Sequence, residues 1–233
     1  MNEVQGMIMP VVPEFRTLIV DVEATHLKAD FGLIIAAGLM TLPPHWVDSD
    51  GKIIKTWLST MESLLRKEPV SLPDSKLLAK WGIQIFRIDD DIDAFKRDNT
   101  NDKSVLERLF HELNKAQIVL GYNTERFDLK FLRSRAAFWG IPFPVGFYHG
   151  DIYTAVRRVF TLHSKSLDSV AAHLGLSLKT PIRPHIWLDA LNVSERGKQA
   201  RDYIAAHLIF DLLTTAYVYK CVWRNVRLRQ VTI

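Results

Sequence analysis

The chain has 233 residues, of which 48% are hydrophobic and 24% are charged, a composition that is ordinary for a folded cytosolic protein. Its 30 Lys and Arg residues exceed its 26 Asp and Glu residues, and the formal charge of +4 permits a polyanionic partner without requiring one. The longest apolar run, residues 33–40, is far shorter than the roughly 20 residues needed to cross a bilayer, which excludes a transmembrane helix.

Two further features indicate an intracellular protein. Cys221 is the only cysteine, so no intramolecular disulfide can form. Residues 1–15 have no basic cluster before an apolar stretch. We therefore expect no signal peptide, no membrane partner and a cytoplasmic location.

The first 60 residues are expected to form three β-strands. Residues 15–23 (FRTLIVDVE) are rich in β-branched side chains, and residues 31–40 (FGLIIAAGLM) form a second apolar run that ends before two prolines. Residues 51–59 (GKIIKTWLS) follow the turn signal DSDG and predict a third strand. The short turns favour an antiparallel meander. Residues 60–103 show no clear period, and we expect an irregular insertion there.

The second half of the chain alternates helical and strand patterns. Residues 117–123 (QIVLGYN) predict a short strand. Helices are predicted at residues 102–116, 125–140, 149–160, 165–178 and about 198–222. The C-terminal segment 220–230 (KCVWRNVRLRQ) fits an edge strand, a helix extension or a partner contact. A strand meander followed by alternating helices and strands predicts a single α/β domain over residues 1–233 with a mixed sheet.

Acidic side chains occur where this pattern places the protein core. Asp21 and Glu23 are two residues apart on a predicted strand, so both point to one face of the sheet. His207 and Asp211 are four residues apart on a predicted helix and also share a face. Asp128 lies near the start of a helix that follows a strand, where sites tend to form in α/β sheets. Two carboxylates on one face of a buried strand repel each other, and a divalent metal is the simplest compensating cation.

Each of these features alone has a plainer explanation. An acid near a helix N-terminus, such as Asp128, more often complements the helix dipole than binds a ligand. A single histidine such as His207 is more often a helix-surface or hydrogen-bonded core residue. The strand pair is harder to explain without a cation.

Taken in order, three segments resemble the motifs of a known family: DVEAT (21–25), YNTERFDLKFL (122–132) and HLIFD (207–211). They are similar to the three exonuclease motifs of the DEDD group of the ribonuclease H-like superfamily, which contains 3′–5′ exonucleases. The likeness is greatest to its microbial and phage branch, which has a YN…RFD motif. The resemblance implies a mixed five-stranded sheet, first an antiparallel meander and then parallel strands, flanked by helices.

The resemblance also implies a set of site residues. The expected metal ligands, for two Mg²⁺ or Mn²⁺ ions, are Asp21, Glu23, Asp128 and Asp211. The residues expected around the terminal nucleotide are Thr25, Asn123 and Phe127. The segment ATHL (24–27) stands where many relatives have a TTGL-like turn, so this chain departs from the family there.

His207 is expected to be the general base, because the unperturbed pKa of histidine suits proton abstraction near neutral pH. Relatives with a histidine base place it five residues before the last Asp, and relatives with a tyrosine place it four before. Here His207 stands four residues before Asp211, at the tyrosine's spacing. Tyr203, eight residues before Asp211 on roughly the same helix face, is the alternative base.

The resemblance implies hydrolysis by two metal ions roughly 3.5–4 Å apart, which together bind the attacking hydroxide and the leaving oxygen. Asp21 is expected to bridge the ions, and Glu23 and Asp211 to bind the ion that holds the water. Asp128 is expected to act on the second ion, mainly through water.

The implied function is a 3′–5′ exonuclease that acts on single-stranded DNA or RNA and releases nucleoside monophosphates. Two alternatives stay open: a catalytically weak module that binds nucleic acid or a protein partner, and a two-metal endonuclease whose specificity residues 60–103 would shape. Substrate contacts by stacking and by phosphate binding are expected from Phe127, Arg126, Arg157, Arg158, Lys165, Lys179 and Arg183.

Overall fold

A computed structural model describes residues 15–176 and 185–232 of the chain. Its strands are β1 (Thr17–Ala24), β2 (Ile34–Thr41), β3 (Ile83–Arg87), β4 (Ile118–Gly121), β5 (Tyr148–Asp151) and β6 (Leu228–Gln230). They form one sheet in the order β3-β2-β1-β4-β5-β6. β4 runs parallel to β1 and β5, whereas the other neighbouring pairs are antiparallel. The predicted mixed α/β sheet is confirmed, with six strands in the described residues instead of the expected five.

Helices cover both faces of this sheet. The helices are α1 (Lys52–Leu65), α2 (Ser75–Lys80), α3 (Ile92–Arg97), α4 (Lys103–Leu113), α5 (Asp128–Trp139), α6 (Ile152–Val159), α7 (Leu167–His173), α8 (His185–Asp189) and α9 (Glu195–Val222). Apolar side chains of α1, α6, α7 and α9 form one core with Ile19 of β1. Those of α4 and α5 form a second core with Leu18, Val20 and Val22 on the opposite face. None of the described helices is long and apolar enough to cross a membrane.

The long helix α9 crosses the sheet close to the centre of β1 and β2. A Cβ atom at Gly38 of β2 would lie 2.8 Å from Leu212 Cδ1 and 3.1 Å from Leu208 Cγ, so glycine allows the helix to approach. Gly38 is also the β2 residue paired with Asp21. This close packing therefore brings the surface of α9 next to the acidic positions of β1.

The predicted strand at residues 51–59 is wrong, because this segment lies in α1. Ile54, Leu58 and Met61 are buried at helical spacing along α1, and Gly51 precedes the helix with a φ of 76°. The apolar residues of this segment fit a short strand equally well when only nine residues are considered. The turn signal DSDG (48–51) lies directly before this helix, and Gly51 is the N-cap residue.

The irregular structure expected for residues 60–103 is also wrong. This stretch contains the end of α1, then α2, β3 and α3, and β3 pairs with β2 to complete the antiparallel part of the sheet. The elements α2 and α3 have six residues each, fewer than two helical turns, so no period can be recognised in the sequence.

Two other segments differ from or refine the sequence interpretation. Residues 149–160, predicted as one helix, contain the end of β5 followed by α6. The C-terminal segment ends in β6, which is one of the three alternatives left open for it, the edge strand. Lys179, Arg183 and the end of the helix predicted at residues 165–178 lie outside the described residues.

Candidate metal-binding active site

Asp21 and Glu23 lie at the carboxyl end of β1 and point to the face that α9 covers. Ile19, two residues before Asp21, packs in the same core as the helix, and the two-residue period of the strand places Asp21 and Glu23 on that face. Both side chains are only partly buried. Val20, directly before Asp21, and Val22, between the two acids, are buried. The acids thus stand where the buried part of the strand ends.

The helix α9 brings a second pair of side chains to these acids. His207 Nε2 lies 4.0 Å from Glu23 Oε1 and 3.6 Å from Asp211 Oδ2. One ligand atom from each of Glu23, His207 and Asp211 falls within 4.8 Å of the other two, a spacing that one metal ion can span. Residues separated by more than 180 positions in the chain therefore meet in one cluster.

Asp128 begins α5 directly after a tight loop that follows β4. Asn123 takes a left-handed backbone conformation with a φ of 64°. A Cβ atom at Gly121 would collide with the side chain of Thr124, so the strand has to end in glycine for the chain to turn back. Asp151 of β5 fixes the loop by accepting hydrogen bonds from the backbone N–H groups of Asn123 and Glu125, at 3.2 and 3.0 Å.

This geometry leaves one oxygen of Asp128 without a partner. Its Oδ1 is buried and accepts no hydrogen bond within the part of the chain that the structure describes. A buried carboxylate oxygen without a partner is costly, and a cation is the partner that suits it best. The local structure of the loop therefore favours a cation beside Asp128.

Burial raises the pKa of all four acids, and for three of them repulsion by another of the four adds to this effect. Burial is the largest cause that raises the pKa of Asp21, Glu23 and Asp128 well above the usual range, and burial raises the pKa of Asp211 to about 8. The second cause for Asp21 is repulsion by Asp211. For both Glu23 and Asp128, the second cause is repulsion by Asp21. Without a cation, the Asp211 carboxyl group therefore holds a proton near neutral pH.

Burial has the opposite effect on His207, whose pKa it lowers because the charged imidazolium is disfavoured. The ring is therefore neutral at neutral pH. Its Nδ1 is buried and has no hydrogen-bond partner among the described residues, whereas Nε2 faces Glu23 and Asp211. Nε2 is thus the ring atom that faces the acidic cluster.

Tyr203, the alternative base, lies in a different environment. It is 6% exposed and packs among apolar residues of α8 and α9, including Ile186 and Ile204. His207, by contrast, places its Nε2 4.0 Å from Glu23 Oε1 and 3.6 Å from Asp211 Oδ2. The structure therefore favours His207 over Tyr203 as the group facing the acids.

Thr25, Asn123 and Phe127 shape the loops around the acids. Thr25 Oγ1 accepts a hydrogen bond from the Leu33 N–H at 3.0 Å and closes the loop after β1. The ring of Phe127 packs against that of Phe131, with centroids 5.5 Å apart. Contact of these residues with a nucleotide stays a prediction.

The basic residues expected near the site have mixed surroundings. Arg126 and Arg157 both lie over the ring of Tyr153, with guanidinium-to-centroid distances of 5.9 and 5.8 Å. The Lys165 ammonium donates to the Leu162 carbonyl at 2.9 Å, and the Lys165 carbonyl accepts from the Tyr122 hydroxyl. Lys165 therefore stabilises a loop, whereas the guanidinium groups of Arg126 and Arg157 lie over the ring of Tyr153.

Sequence reasoning missed Trp187 of α8, which contacts two site residues. Its indole Nε1–H donates a hydrogen bond to Glu23 Oε2 at 3.1 Å, and its ring packs edge-on against His207 at 6.1 Å between centroids. A lone tryptophan in a five-residue helix has no periodic signal that could have identified it.

Asp168 of α7 was also missed, and its charge acts on both Asp211 and His207 to raise the pKa of each.

Replacing Trp187 with phenylalanine is expected to raise the pKa of Glu23 further. The indole hydrogen bond stabilises the charged form of Glu23 and lowers its pKa against the effects of burial and repulsion. Carboxyl titration of the metal-free protein by NMR measures this change directly. Trp223→Phe, at an exposed tryptophan near the C-terminus, is the matched control and should leave Glu23 unchanged. An identical Glu23 titration in Trp187→Phe and the wild type would contradict the assigned contact.

Comparisons with known proteins agree with this architecture. The family model RNase_H_2, described as the RNase_H superfamily, matches residues 81–223. A DNA polymerase of Archaeoglobus fulgidus is 27% identical over 164 residues, which cover 57% of this chain and 21% of the polymerase. The structure of the family B DNA polymerase of Pyrobaculum calidifontis superposes with a TM-score of 0.61 at 15% identity, over 91% of this chain and 25% of that one. The chain thus spans about a fifth to a quarter of each polymerase, and the second comparison shows the fold alone.

Proposed function

This chain belongs to the RNase_H superfamily, and we propose that it is a divalent-metal-dependent 3′–5′ exonuclease acting on single-stranded DNA or RNA. Superfamily membership indicates a nuclease. The observation that supports the finer proposal is the convergence of Asp21, Glu23, Asp128 and Asp211 with a neutral histidine at one end of the sheet. Such a set of oxygen ligands suits Mg²⁺ or Mn²⁺.

The residues present fit a metal site on two grounds. Asp128 Oδ1 is buried without a partner in the described chain, and the remaining acids of the cluster repel one another. We propose Asp21, Glu23, Asp128 and Asp211 as the ligands. Divalent ions bound there would supply charge neutralisation at the phosphate and at the attacking and leaving oxygens.

His207 is the group proposed to accept the proton from the attacking water, at Nε2. Its lowered pKa keeps the ring neutral and able to take up a proton at neutral pH. The water oxygen then forms the new bond to phosphorus while the bond from phosphorus to the 3′-oxygen breaks, and that oxygen leaves and takes up a proton. The products are a nucleoside 5′-monophosphate and a strand shortened by one nucleotide.

His207→Ala is expected to lower kcat by about 10²- to 10⁴-fold, the usual contribution of a general base. Tyr203→Phe should keep kcat within a few-fold, because Tyr203 packs in the apolar cluster of α8 and α9. Single-turnover kinetics at saturating Mg²⁺ separate this effect from weaker metal binding. The reverse result, with a large loss in Tyr203→Phe and a small one in His207→Ala, would assign the base to Tyr203.

The proposed activity is tested by incubating the protein with single strands of DNA and RNA labelled at either end. With Mg²⁺ or Mn²⁺, 5′-labelled strands should give a ladder that shortens one nucleotide at a time, and 3′-labelled strands should release labelled mononucleotide at once. EDTA should stop both. Internal cuts would indicate an endonuclease instead. Binding without cleavage under every metal would support the alternative of a module that only binds nucleic acid.

A further inference from the structure

A cationic feature lies at the β5–β6 edge of the sheet. It is a cleft of about 450 Å³ between these strands and the helices α5 and α6. Five cationic side chains line it, from four different elements or loops: Lys130, Arg133, Arg158, Arg227 and Arg229. The only acids among its lining residues are Glu125 and Asp151. We call this feature the cationic cleft.

The edge strand β6 places its arginines on one face of the sheet. Arg229 pairs directly with His149 of β5, and the two-residue period puts Arg227 on the same face as Arg229. Leu228, between them, pairs with Gly150 on the opposite face. The pairing of β6 with β5 therefore places both arginines on the same side, where they line the cationic cleft.

The acids of the cleft leave most of this positive charge unpaired. Asp151 uses its two oxygens to accept backbone N–H groups of Asn123, Glu125 and Thr154. Glu125 makes an exposed contact with Arg229 at 3.4 Å. In residues 15–176 and 185–232, Lys130, Arg133 and Arg227 form no ion pair. Three exposed cations thus line one cleft without a neutralising group.

The cationic cleft and the acidic cluster open at the same end of the sheet. β1, β4 and β5 are parallel, so their carboxyl ends lie together, with Asp151 of β5 opposite Gly121 of β4. The register of β1, β4 and β5 places Arg229 and His149 on the face of Leu18 and Val119, whereas Asp21 and Glu23 lie on the opposite face, that of Ile19. The loop that bears Asp128 lies between them, because Glu125 and Leu129 of this segment line the cleft. A single strand that contacts both features would pass over this loop at the carboxyl end of the parallel strands.

We propose that the cationic cleft binds backbone phosphates of the single strand whose 3′ end lies at the acidic cluster. Which end enters the cluster rests on the proposed function, whereas phosphate binding in the cleft does not. The described lining has no Phe, Tyr or Trp, and the ring of His149 is buried, so the cleft suits backbone phosphates better than a free nucleotide. Its cations are spread over several elements, as binding along an extended strand requires. The cleft therefore binds without reading sequence.

The test uses the double variant Lys130→Ala/Arg227→Ala, which removes two exposed and unpaired cations. The matched control is Lys76→Ala/Lys80→Ala on α2, which packs beside β3 at the opposite edge of the sheet. Binding of a fluorescent 20-nucleotide single strand is measured by anisotropy in EDTA over a series of salt concentrations. The salt dependence of log K should fall by about 1.4 in the double variant, from about 0.7 per lost phosphate contact. The control should keep the wild-type salt dependence.

A second measurement separates the cleft from the acidic cluster. With Mg²⁺, the double variant should raise KM for the 20-nucleotide strand while leaving cleavage of a dinucleotide unchanged. Arg133→Gln, on another turn of α5, should show the same pattern with about half the change in salt dependence. An unchanged salt dependence in both variants, or equal losses on long and short substrates, would overturn the proposal. Binding that depends on the cleft in a protein that cuts nothing would overturn the exonuclease activity and retain the cleft.

Discussion

Asp21→Ala is expected to abolish metal-dependent cleavage while the protein stays folded. Asp21 stands among the other acids, and repulsion by Asp211 adds to burial in raising its pKa. Its removal therefore takes a central ligand from the cluster and takes away an unfavourable charge at the same time. We expect the rate to fall by roughly 10⁴-fold or to the detection limit, the scale seen when one central catalytic group is removed.

The measurement compares turnover of a labelled single strand in Mg²⁺ and in Mn²⁺ with thermal unfolding of the same preparation. Asp93→Ala is the matched control, because Asp93 is an exposed acid in the first turn of α3 and is not one of the four proposed ligands. The control should keep both activity and melting temperature. Wild-type turnover by purified Asp21→Ala protein would contradict the assignment of the site.

Asp211→Asn is expected to stabilise the metal-free protein at high pH. In the folded protein the pKa of Asp211 is raised to about 8, whereas an unfolded chain has an ordinary aspartate. A raised folded pKa contributes stability that is complete below about pH 4 and is lost as the pH rises towards 8. The wild type in EDTA should therefore lose stability across this range, and the uncharged, isosteric variant should lose less.

The expected difference is a higher melting temperature for Asp211→Asn at pH 8, by roughly 4–8 °C if the free energy of unfolding differs by about 2 kcal/mol. The difference should vanish towards pH 4, where the wild-type carboxyl group is protonated. Adding Mn²⁺ should stabilise the wild type and reverse the order, because only an intact cluster gains the free energy of binding. If the variant is less stable than the wild type in EDTA at pH 8, burial and repulsion do not destabilise the charged Asp211 carboxylate in the folded protein.

The sequence allowed the centre of the fold to be predicted because its elements are long or sharply patterned. β1 is an unbroken β-branched run, and α9 has 28 residues. The spacing of Asp21 with Glu23, and of His207 with Asp211, fixes which side chains share a face whatever the tertiary structure. Both pairs could therefore be recognised before the structure was known, and the structure brings Glu23, His207 and Asp211 together.

The errors fall where local pattern is ambiguous and tertiary packing decides. Residues 51–59 bear apolar side chains that suit a strand, but packing of α1 against α9 buries them as a helix. β5 has four residues and is recognisable only from its pairing with β4. Trp187 is 164 positions from Glu23 in the chain, and no local rule links the two.

The close approach of α9 to β1 depends on a feature that sequence patterns do not reveal. Gly38 lies within an apolar run and looks like any small strand residue. Because Gly38 has no side chain, Leu208 and Leu212 of α9 can pack directly against β2. These two residues are next to His207 and Asp211 in the chain, so their packing determines how closely this part of α9 approaches the sheet. The geometry of the site thus depends on one residue that has no chemistry of its own.

We propose that Asp21, Glu23, Asp128 and Asp211 form one divalent-metal centre. The most direct measurement is anomalous diffraction from crystals of the protein soaked in Mn²⁺. We expect anomalous peaks within coordination distance of these carboxylates, about 2.0–2.3 Å from their oxygens, and no such peaks in crystals of Asp21→Ala. Mn²⁺ bound elsewhere on the protein, with the four carboxylates left without an ion at saturating Mn²⁺, would contradict it.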